Sequence, residues 1–484
     1  MKPIVSEKDF PTADKFVYLN AANVALMYSG AEQVIKDWVA DVAQNGSNNF
    51  DDYAEENVFK DLHSAAARLI NAAAEDIAAG SSATELLCSL AWAVSPGKEQ
   101  NVVSTEIVFP STVYPWQRVA NSTGCEIRLA KEKNNFMHSD DIIALIDQHT
   151  AVVCISHVEY GNGQTFDLQL LAEAAQEHDA LLVVDATQSA GAIPIDVQQC
   201  PVDILISGAY KWLCGPFGAA FMYIAPHLQE KLEPGLVGFR SHKNMWDLDA
   251  SRIVYPQAAQ KFEFSTMAFG CALGLEKSIS FINNIGVQNI FQHNQNLANR
   301  LIEGLQTREA VIISPLGGKD RSSIVNAHFE CIDSEKMIKE LKNEGVFVSS
   351  RAGSIRFSPH LYNTIKDIDK INSHIYSDYF FYSTSQDYGS GLYYFLENDL
   401  IHRSKVIRDR INPEKFISII KNDNQFLIRI SYIKCTSCTY NNKYVNLLIK
   451  NIICEDKDAN NQKTKLIPIN KQVNVFTDTV ITVS

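Results

Sequence analysis

Short apolar runs that end in polar residues recur along the first three-quarters of the chain, and the most informative pair lies near its centre. Residues 181–184 form an uninterrupted apolar run that is followed by Asp185. Residues 204–206 form a second run, which leads through small polar residues to Tyr210 and Lys211. Such runs are typical of buried parallel strands. We therefore predict two strands whose carboxyl ends place an acid and an amine at one edge of an α/β sheet, where ligands of open sheets bind.

Helical periodicity alternates with these apolar runs. Apolar positions recur at helical spacing in residues 31–43 and 58–73, with charges on the opposite face. Further apolar runs at residues 101–104 and 152–155 predict additional strands. Residues 280–376 alternate helical and strand patterns, which predicts a second, smaller α/β domain.

The pattern changes in the last hundred residues. Runs such as 425–432, 444–453 and 473–483 are rich in β-branched residues. Residues 391–484 also carry 14 Lys and Arg against 9 Asp and Glu, whereas the whole chain has a net charge of −13. We therefore predict a separate strand-rich domain of unknown role at residues 385–484. Its Cys435 and Cys438 are a redox pair, half of a metal site or two ordinary thiols, and the sequence favours the last, so that we expect no metal site.

Length and charge limit the functional class. A chain of 484 residues exceeds one ordinary domain, and a net charge of −13 argues against non-specific nucleic-acid binding. The start has no signal-peptide pattern, and no run of about 18 apolar residues predicts a membrane span. The ten cysteines are mostly scattered singly, which is typical of reduced thiols in a cytoplasm. We expect a cytoplasmic protein with no nucleic-acid or membrane partner.

An acid and an amine at one sheet edge are the two groups that pyridoxal phosphate (PLP) requires. A lysine holds its aldehyde as a Schiff base, and a carboxylate keeps its pyridine nitrogen protonated so that the ring accepts electrons. Lys211 and Asp185 can fill these two roles. A lone surface lysine after a strand is the alternative interpretation, and the surrounding motif argues against it.

That motif extends on both sides of the pair. Its members are Asp185, Gln188, Ser207, Tyr210, Lys211, Gly215, Pro216 and Gly218. It resembles the motif of aminotransferase class V, a family of fold-type I PLP enzymes that includes cysteine desulfurases, selenocysteine lyases, kynureninases and isopenicillin-N-epimerase-like proteins. The resemblance implies PLP as cofactor, bound by Gln188, Ser207 and Tyr210 as well as by the central pair. It also implies a large mixed-sheet domain at residues 31–279, beside the small α/β domain at 280–376.

A phosphate site is expected where the apolar run at residues 77–79 breaks at Gly80 and small residues lead into a helix. Free N–H groups and the positive dipole end at a helix start bind phosphate without a basic side chain. The segment resembles the family's SGATE loop, which implies that Ala83 and Thr84 are phosphate ligands. Ser82 stands where glycine is usual. A plain helix cap remains the alternative for this segment.

The resemblance implies further contacts to the cofactor. Phe109, in a Phe-Pro-Ser segment, is expected to stack on the PLP ring, with a core or exposed phenylalanine as the alternative. Tyr160 or Asn162 is expected near the phenolic oxygen, and the sequence does not choose between them. Ser265 and Thr266 occupy the place of the family's Gly-Thr pair, which implies that Thr266 reaches the phosphate of a neighbouring subunit in a homodimer with shared sites.

Substrate contacts are expected from two ends of the matched region. Residues 1–30 form an N-terminal active-site segment that resembles the family's "YL(D/N)xAA" pattern, which places Asn20 and Ala21 near the substrate. The family's "RxSxxxYNT" pattern places a carboxylate-binding arginine at Arg356. Arg351 is a second candidate, for which the sequence favours a structural role.

The expected reaction follows from what lies between these arginines. Desulfurases carry a nucleophilic cysteine on a loop there, and this chain has only residues 352–355. We therefore expect a PLP enzyme acting on a small amino acid by transamination or by C–S lyase (β-elimination) chemistry, with epimerisation also open. The alternative is a catalytically inactive scaffold or binding protein whose C-terminal domain carries the function.

Overall fold

The computed structural model describes residues 4–308, 310–329, 333–377, 415–422, 425–432, 446–454 and 465–474. The chain divides into two units, Met1–Ser373 and His374–Ser484. The strands that precede residue 374 are β1 (Val17–Tyr18), β2 (Ile77–Gly80), β3 (Asn101–Thr105), β4 (Glu126–Ala130), β5 (Thr150–Ser156), β6 (Leu181–Asp185), β7 (Ile204–Gly208), β8 (Ala220–Ile224), β9 (Val311–Ile312), β10 (Val325–His328), β11 (Val346–Phe347), β12 (Ser349–Arg351) and β13 (Ser354–Phe357).

A seven-stranded mixed sheet forms the centre of the first unit. Its strand order is β2-β8-β7-β6-β5-β3-β4. The five strands from β3 to β7 run parallel, and β8 pairs antiparallel with both of its neighbours. Strands β6 and β7 lie where the two central apolar runs predict them, and they are adjacent. The predicted mixed sheet is therefore confirmed, and it brings the two critical strand ends together.

Helices cover both faces of this sheet. They are α1 (Ser29–Asn45), α2 (Asp52–Glu56), α3 (Lys60–Ile70), α4 (Ala83–Val94), α5 (Tyr114–Thr123), α6 (Ser139–Ile143), α7 (Leu168–Gln176), α8 (Pro226–Gln229), α9 (Phe269–Ile285), α10 (Val287–Gln306), α11 (Ser334–Asn343) and α12 (Ile365–Ser377), with short 3₁₀ helices at Ala74–Asp76, Pro110–Thr112, Phe239–Ser241 and Ala259–Phe262. Among the described residues, no helix has both the length and the apolar character needed to cross a membrane.

Alternation along each strand explains why both faces are buried. In β6, Leu182 and Val184 belong to the apolar cluster that includes α3, α7 and α9. Val183 points to the opposite face, into the cluster that includes α4 and α5. Side chains of a strand alternate between its two faces, so an uninterrupted apolar run fits a strand that is covered on both sides.

A smaller antiparallel sheet follows in the chain. Its strand order is β12-β13-β10-β9, and helices α10 and α11 pack against it. Outside this sheet, β1 pairs in parallel with β11, and Asn20 forms a further bridge to Ser358, just beyond β13. The N-terminal segment is thereby tied to the strand that carries Arg356.

The second unit contains four described strands. They are β14 (Lys415–Asn422), β15 (Gln425–Tyr432), β16 (Asn446–Cys454) and β17 (Lys465–Asn474), paired antiparallel as β14 with β15 and β16 with β17. The predicted runs at 425–432 and 444–453 coincide with β15 and β16. Most of the run at 473–483 lies outside the described residues, as do Cys435 and Cys438. A strand-rich domain at residues 385–484 stays a prediction.

Candidate active site

Asp185 and Lys211 line one cleft at the carboxyl edge of the large sheet. Asp185 is the last residue of β6, and Lys211 follows β7 by three positions. Both side chains are at least nine-tenths buried. Because the two strands are adjacent and parallel, their ends meet at the same edge. The predicted juxtaposition of acid and amine is present in the structure.

Two threonines orient the carboxylate of Asp185. The hydroxyl of Thr112 donates to Oδ2 at 3.2 Å, and the backbone N–H of Thr187 donates to Oδ1 at 2.9 Å. The second contact is the local turn that aspartate forms with the backbone two residues ahead. The hydroxyl of Thr187 also accepts the N–H of Gly208 at 3.1 Å, which ties this turn to the end of β7. Sequence analysis missed both threonines, although the aspartate turn is a local signal that identifies Thr187.

Burial favours the neutral form of the Lys211 amine. Burial is the main cause that lowers its pKa to about 8, the charges of Arg356 and Arg351 lower it further, and Asp185 opposes them. About one-tenth of the amine is therefore unprotonated at pH 7, far more than for an ordinary lysine, and the unprotonated form is the one that a nucleophile or a base requires. Its Nζ lies 5.5 Å from the centre of the Phe109 ring and 5.7 Å from that of Tyr210.

The start of α4 forms one wall of the same cleft. Ser82, Ala83 and Thr84 line it. The hydroxyl of Ser82 accepts the N–H of Glu85 at 3.1 Å and caps the helix. The first N–H groups of a helix have no partner within it, so those of Ala83 and Thr84 are suited to an anion. Ser82 has φ −162°, an extended conformation open to any residue, so serine is tolerated where the family usually has glycine.

Aromatic residues shape the other walls. Phe109 and Tyr160 both line the cleft and meet edge to face, with ring centres 5.3 Å apart. Phe109 is 42% exposed, so one side of its ring is open for stacking. Tyr210 also lines the cleft and stacks on Phe217 with ring centres 4.8 Å apart. These aromatic side chains can therefore enclose a flat ring. Their contacts with one another and with Phe217 already hold them in place.

Not every residue of the expected site reaches the cleft. Of the two candidates left open, Tyr160 lines it, whereas the amide of Asn162 donates to the backbone oxygen of Asn135 at 2.8 Å. The hydroxyl of Ser207 is buried in β7 and donates to the backbone oxygen of Gly208. Thr266 is exposed on the surface and does not line the cleft of its own chain.

Arg356 lies fully buried in β13, beside the cleft. Its Nη1 donates to the backbone oxygen of Tyr160 at 2.6 Å. Its Nε and Nη2 are buried without a partner among the described residues. Burial, and then the charge of Arg351, lower the pKa of Arg356 to about 9. Leaving guanidinium donors unpaired in the interior is costly, so this arrangement favours an anion that binds there.

The N-terminal segment closes the site next to Arg356. The backbone N–H of Ala21 donates to the backbone oxygen of Ser358 at 3.3 Å, and that of Ala22 donates to the Ser358 hydroxyl at 3.0 Å. The side-chain oxygen of Asn20 is buried without a partner among the described residues. Asn20 and Ala21 therefore contact Ser358, which follows Arg356 by two positions in the chain, and their contact with a substrate stays a prediction.

The family model for aminotransferase class-V matches residues 17–371, which is most of the chain and spans β1 to α12. The chain belongs to this family. The enzymes of aminotransferase class V depend on PLP, so the protein is a PLP-dependent aminotransferase or lyase. This finding favours an enzyme over an inactive scaffold.

Curated relatives agree with the family. An uncharacterized aminotransferase of Bacillus subtilis, YcbU, is 26% identical over 359 residues, which cover 74% of this chain and 93% of the relative. A probable cysteine desulfurase of Halalkalibacterium halodurans is 28% identical over 291 residues, which cover 57% of this chain and 70% of the relative. The similarity to YcbU thus covers about three-quarters of this chain and nearly all of the relative.

Solved structures show the same fold. The apo cysteine desulfurase of Thermococcus onnurineus has a TM-score of 0.69 at 22% identity, over 76% of this chain and 96% of the other. The cystine C–S lyase C-DES, in complex with its reaction product cysteine persulfide, has a TM-score of 0.70 at 19% identity, over 76% of this chain and 98% of the other. The class V enzyme therefore has the fold-type I α/β architecture.

The residues of the cleft fit PLP. The free N–H groups of Ala83 and Thr84 suit its phosphate, the fixed carboxylate of Asp185 suits its pyridine nitrogen, and the amine of Lys211 suits its aldehyde. These three groups lie on different walls of one cleft. When bound, the cofactor supplies an electron sink for the bond that breaks at the substrate's α-carbon.

Trp212, for which the sequence gave no signal, orients the side chain of Gln188 in this cleft. Gln188 lines the cleft, and its Oε1 accepts the indole N–H of Trp212 at 2.8 Å. Its Nε2 donates to the backbone oxygen of Ala22 at 3.0 Å. Trp212 is held in turn by His360, whose Nε2 lies 3.0 Å from its backbone oxygen. The amide of Gln188 is therefore fixed in one orientation.

We expect Trp212→Phe to change the electrostatics of the cleft, because the amide of Gln188 loses the donor that orients it. The midpoint of the pH titration of the cofactor absorbance band should shift by about 0.5 to 1 unit, which corresponds to one neutral hydrogen bond. The matched control is Trp116→Phe, at a buried tryptophan of the opposite apolar cluster. The control should lose stability without moving the titration, and an unmoved midpoint in Trp212→Phe would contradict the role.

Proposed function

We propose that the protein acts on a small α-amino acid, by transamination or by C–S lyase (β-elimination) chemistry. The single observation that supports this best is Arg356, a fully buried arginine beside Tyr160 and near Lys211, two of whose nitrogens have no partner among the described residues. A guanidinium offers a planar pair of donors to a carboxylate. An α-carboxylate held there brings the α-amino group of the same substrate towards the amine of Lys211.

Lys211 is the proposed catalytic residue. With PLP bound, the Lys211 Nζ would hold its aldehyde, and the same amine, when free, would accept the proton of the substrate's α-carbon. A pKa lowered to about 8 by burial raises the fraction of the free amine that is neutral and able to accept this proton, to about one-tenth at pH 7. Asp185, fixed by Thr112 and Thr187, holds the proton on the pyridine nitrogen.

The remaining cofactor contacts are proposed from the positions of the cleft residues. Ala83 and Thr84 bind the phosphate through the start of α4, and Phe109 stacks on the ring. Tyr160, Gln188 and Tyr210 complete the wall around it. Ser207 supports β7 from within the sheet, since its hydroxyl is directed to the backbone of Gly208.

The turn between β12 and β13 argues against a desulfurase that carries a persulfide on its own loop. Only Ala352 and Gly353 join the two strands, with φ of 49° and 76°. Two residues with positive φ form the tight turn of a β-hairpin. No loop extends from this hairpin towards the cleft, and none of the described residues that line the cleft is a cysteine. Sulfur chemistry would proceed by elimination or by transfer to another thiol.

We propose that the protein is a cytoplasmic homodimer. Thr266 is exposed and lies away from the cleft of its own chain, which agrees with a role at the phosphate of a neighbouring subunit in a homodimer. The six cysteines whose side chains are described are free thiols, which agrees with a cytoplasmic location.

A product assay tests the proposed reaction. The purified protein with PLP is incubated with a panel of amino acids, with and without a keto-acid acceptor. Release of ammonia and a keto acid without an acceptor indicates elimination, and sulfide accompanies them for a thiol substrate. Formation of a new amino acid from the acceptor indicates transamination. Absence of any product across the panel would overturn the proposal.

Arg356→Ala is expected to raise the KM for the amino-acid substrate by at least about tenfold, because a charge-assisted contact contributes on the order of 1.5–3 kcal/mol. Arg356→Lys keeps the charge without the planar pair of donors, so it should recover only part of the loss. Thermal unfolding of both variants separates binding from folding, since the side chain is buried. An unchanged KM in Arg356→Ala would show that another group binds the carboxylate.

A further inference from the structure

Two arginines occupy the same face of the β12–β13 hairpin. Arg356 is paired directly with Ser349, and Arg351 is paired directly with Ser354. Residues that are paired directly lie on one face, and so do residues two positions apart on a strand. Arg351 and Arg356 are therefore diagonal neighbours on that face, a relation that places such residues about 7–8 Å apart.

Neither arginine forms an ion pair with a carboxylate of the described residues. Arg351 donates from Nη1 to the backbone oxygen of Ser350 at 2.6 Å, and its Nε is buried without a partner within the described part of the chain. Arg356 donates from Nη1 to the backbone oxygen of Tyr160, and two of its nitrogens are unpartnered there. Each guanidinium thus keeps donors available for an oxygen anion.

Positive charge accumulates at this side of the cleft. The charge of Arg351 lowers the pKa of Arg356, and both arginines lower the pKa of Lys211. Asp185 is the acid that lines the cleft among the described residues, and its two oxygens are already directed to Thr112 and Thr187. Two adjacent guanidinium groups without an acid between them repel each other unless a ligand supplies negative charge.

The α-carboxylate of an ordinary amino acid satisfies only one of them. We propose that Arg351 binds a second acidic group of the substrate, so that the enzyme prefers α-amino acids whose side chain carries a carboxylate or a sulfinate. This inference rests on the proposed function, in which Arg356 binds the α-carboxylate. The short turn at Ala352 and Gly353 fixes the two strands relative to each other, so the spacing of the two arginines is set before a substrate arrives.

Matched pairs of amino acids test the preference in the holoenzyme. L-aspartate is compared with L-asparagine, because this pair differs chiefly in the side-chain charge. L-cysteine sulfinate is compared with L-cysteine by apparent Kd alone, because these two also differ in the leaving group. For each compound, the change in the cofactor absorbance band gives an apparent Kd, and for the first pair product formation gives kcat/KM. The acidic member should have an apparent Kd at least about tenfold lower than its neutral partner, and L-aspartate should exceed L-asparagine by the same factor in kcat/KM, as one charge-assisted contact implies.

Two variants assign the preference to Arg351. Arg351→Gln should reduce the ratio of acidic to neutral substrate by at least about tenfold. Arg118→Gln, at an exposed arginine of α5 that contacts Ser122, should keep the wild-type ratio. A wild-type ratio near one, or an unchanged ratio in Arg351→Gln, would overturn the inference while leaving the proposed function intact. A cofactor band that no amino acid alters would overturn the proposed function as well.

Discussion

Replacing Lys211 by alanine should abolish turnover and remove the absorbance band that borohydride bleaches. The buried amine beside Asp185 is the group proposed to bind the cofactor covalently and to move the proton at the substrate's α-carbon. Without it the covalent attachment has no other amine in the described cleft lining. Turnover should fall by at least about 100-fold, the lower range for loss of a positioned base.

A second variant separates chemistry from charge. Lys211→Arg keeps a cation in the buried position but has no amine that can bind the aldehyde or act as a base at neutral pH. It should behave like Lys211→Ala in absorbance and turnover, with unfolding temperatures measured for both. A borohydride-sensitive band of wild-type intensity in either variant would show that another residue holds the cofactor.

Asp185→Asn should leave a folded protein that binds PLP but turns over at least about 100-fold more slowly. The asparagine oxygen can still accept the N–H of Thr187, so the local turn is kept. A neutral amide no longer favours a protonated pyridine nitrogen, so the negative charge that develops at the α-carbon is less stabilised. The measurement is single-turnover kinetics together with the PLP content of the purified variant.

Asp196, which lies outside the cleft, provides a matched control for Asp185. Asp196 also accepts backbone N–H groups of a turn, those of Gln198 and Gln199, but it lies outside the cleft. Asp196→Asn should retain wild-type turnover. Near-normal turnover in Asp185→Asn would contradict the role assigned to its charge.

Much of this site could be predicted because it depends on local pattern. Buried parallel strands appear as apolar runs, and polar residues at their ends converge wherever the strands are neighbours. Asp185 and Lys211 follow from that reasoning alone. Likewise, a small-residue segment before a helix predicts the helix start at Ala83 and Thr84, where we propose that phosphate binds. In both cases a few consecutive residues contain the whole signal.

Other features depend on contacts between segments that are distant in the chain. The amide of Gln188 is fixed by Trp212 and by the backbone of Ala22, and no local pattern relates these three positions. Arg351 lies beside Arg356 because of the register of the two strands. A shift of that register by one residue would place the two arginines on opposite faces of the hairpin. The sequence favours a structural role for Arg351. That it has no acidic partner among the described residues is visible only in the structure.

The path of the backbone beyond β5 places Tyr160, rather than Asn162, at the cleft. Both lie in the segment that follows β5, and either side chain is chemically suited to a contact with the cofactor. The structure directs the amide of Asn162 to the backbone of Asn135, which leaves Tyr160 at the cleft. The choice depends on the path of the backbone beyond the strand, which side-chain type does not determine.

The most direct measurement of the central claim is the identity of the lysine that carries the cofactor. The wild-type holoenzyme is reduced with borohydride and digested, and the peptide with the added pyridoxyl mass is sequenced by mass spectrometry. The predicted result is a single modified peptide in which Lys211 carries the group. Modification of a different lysine, or none in a protein that binds PLP, would contradict the assignment of this cleft as the active site.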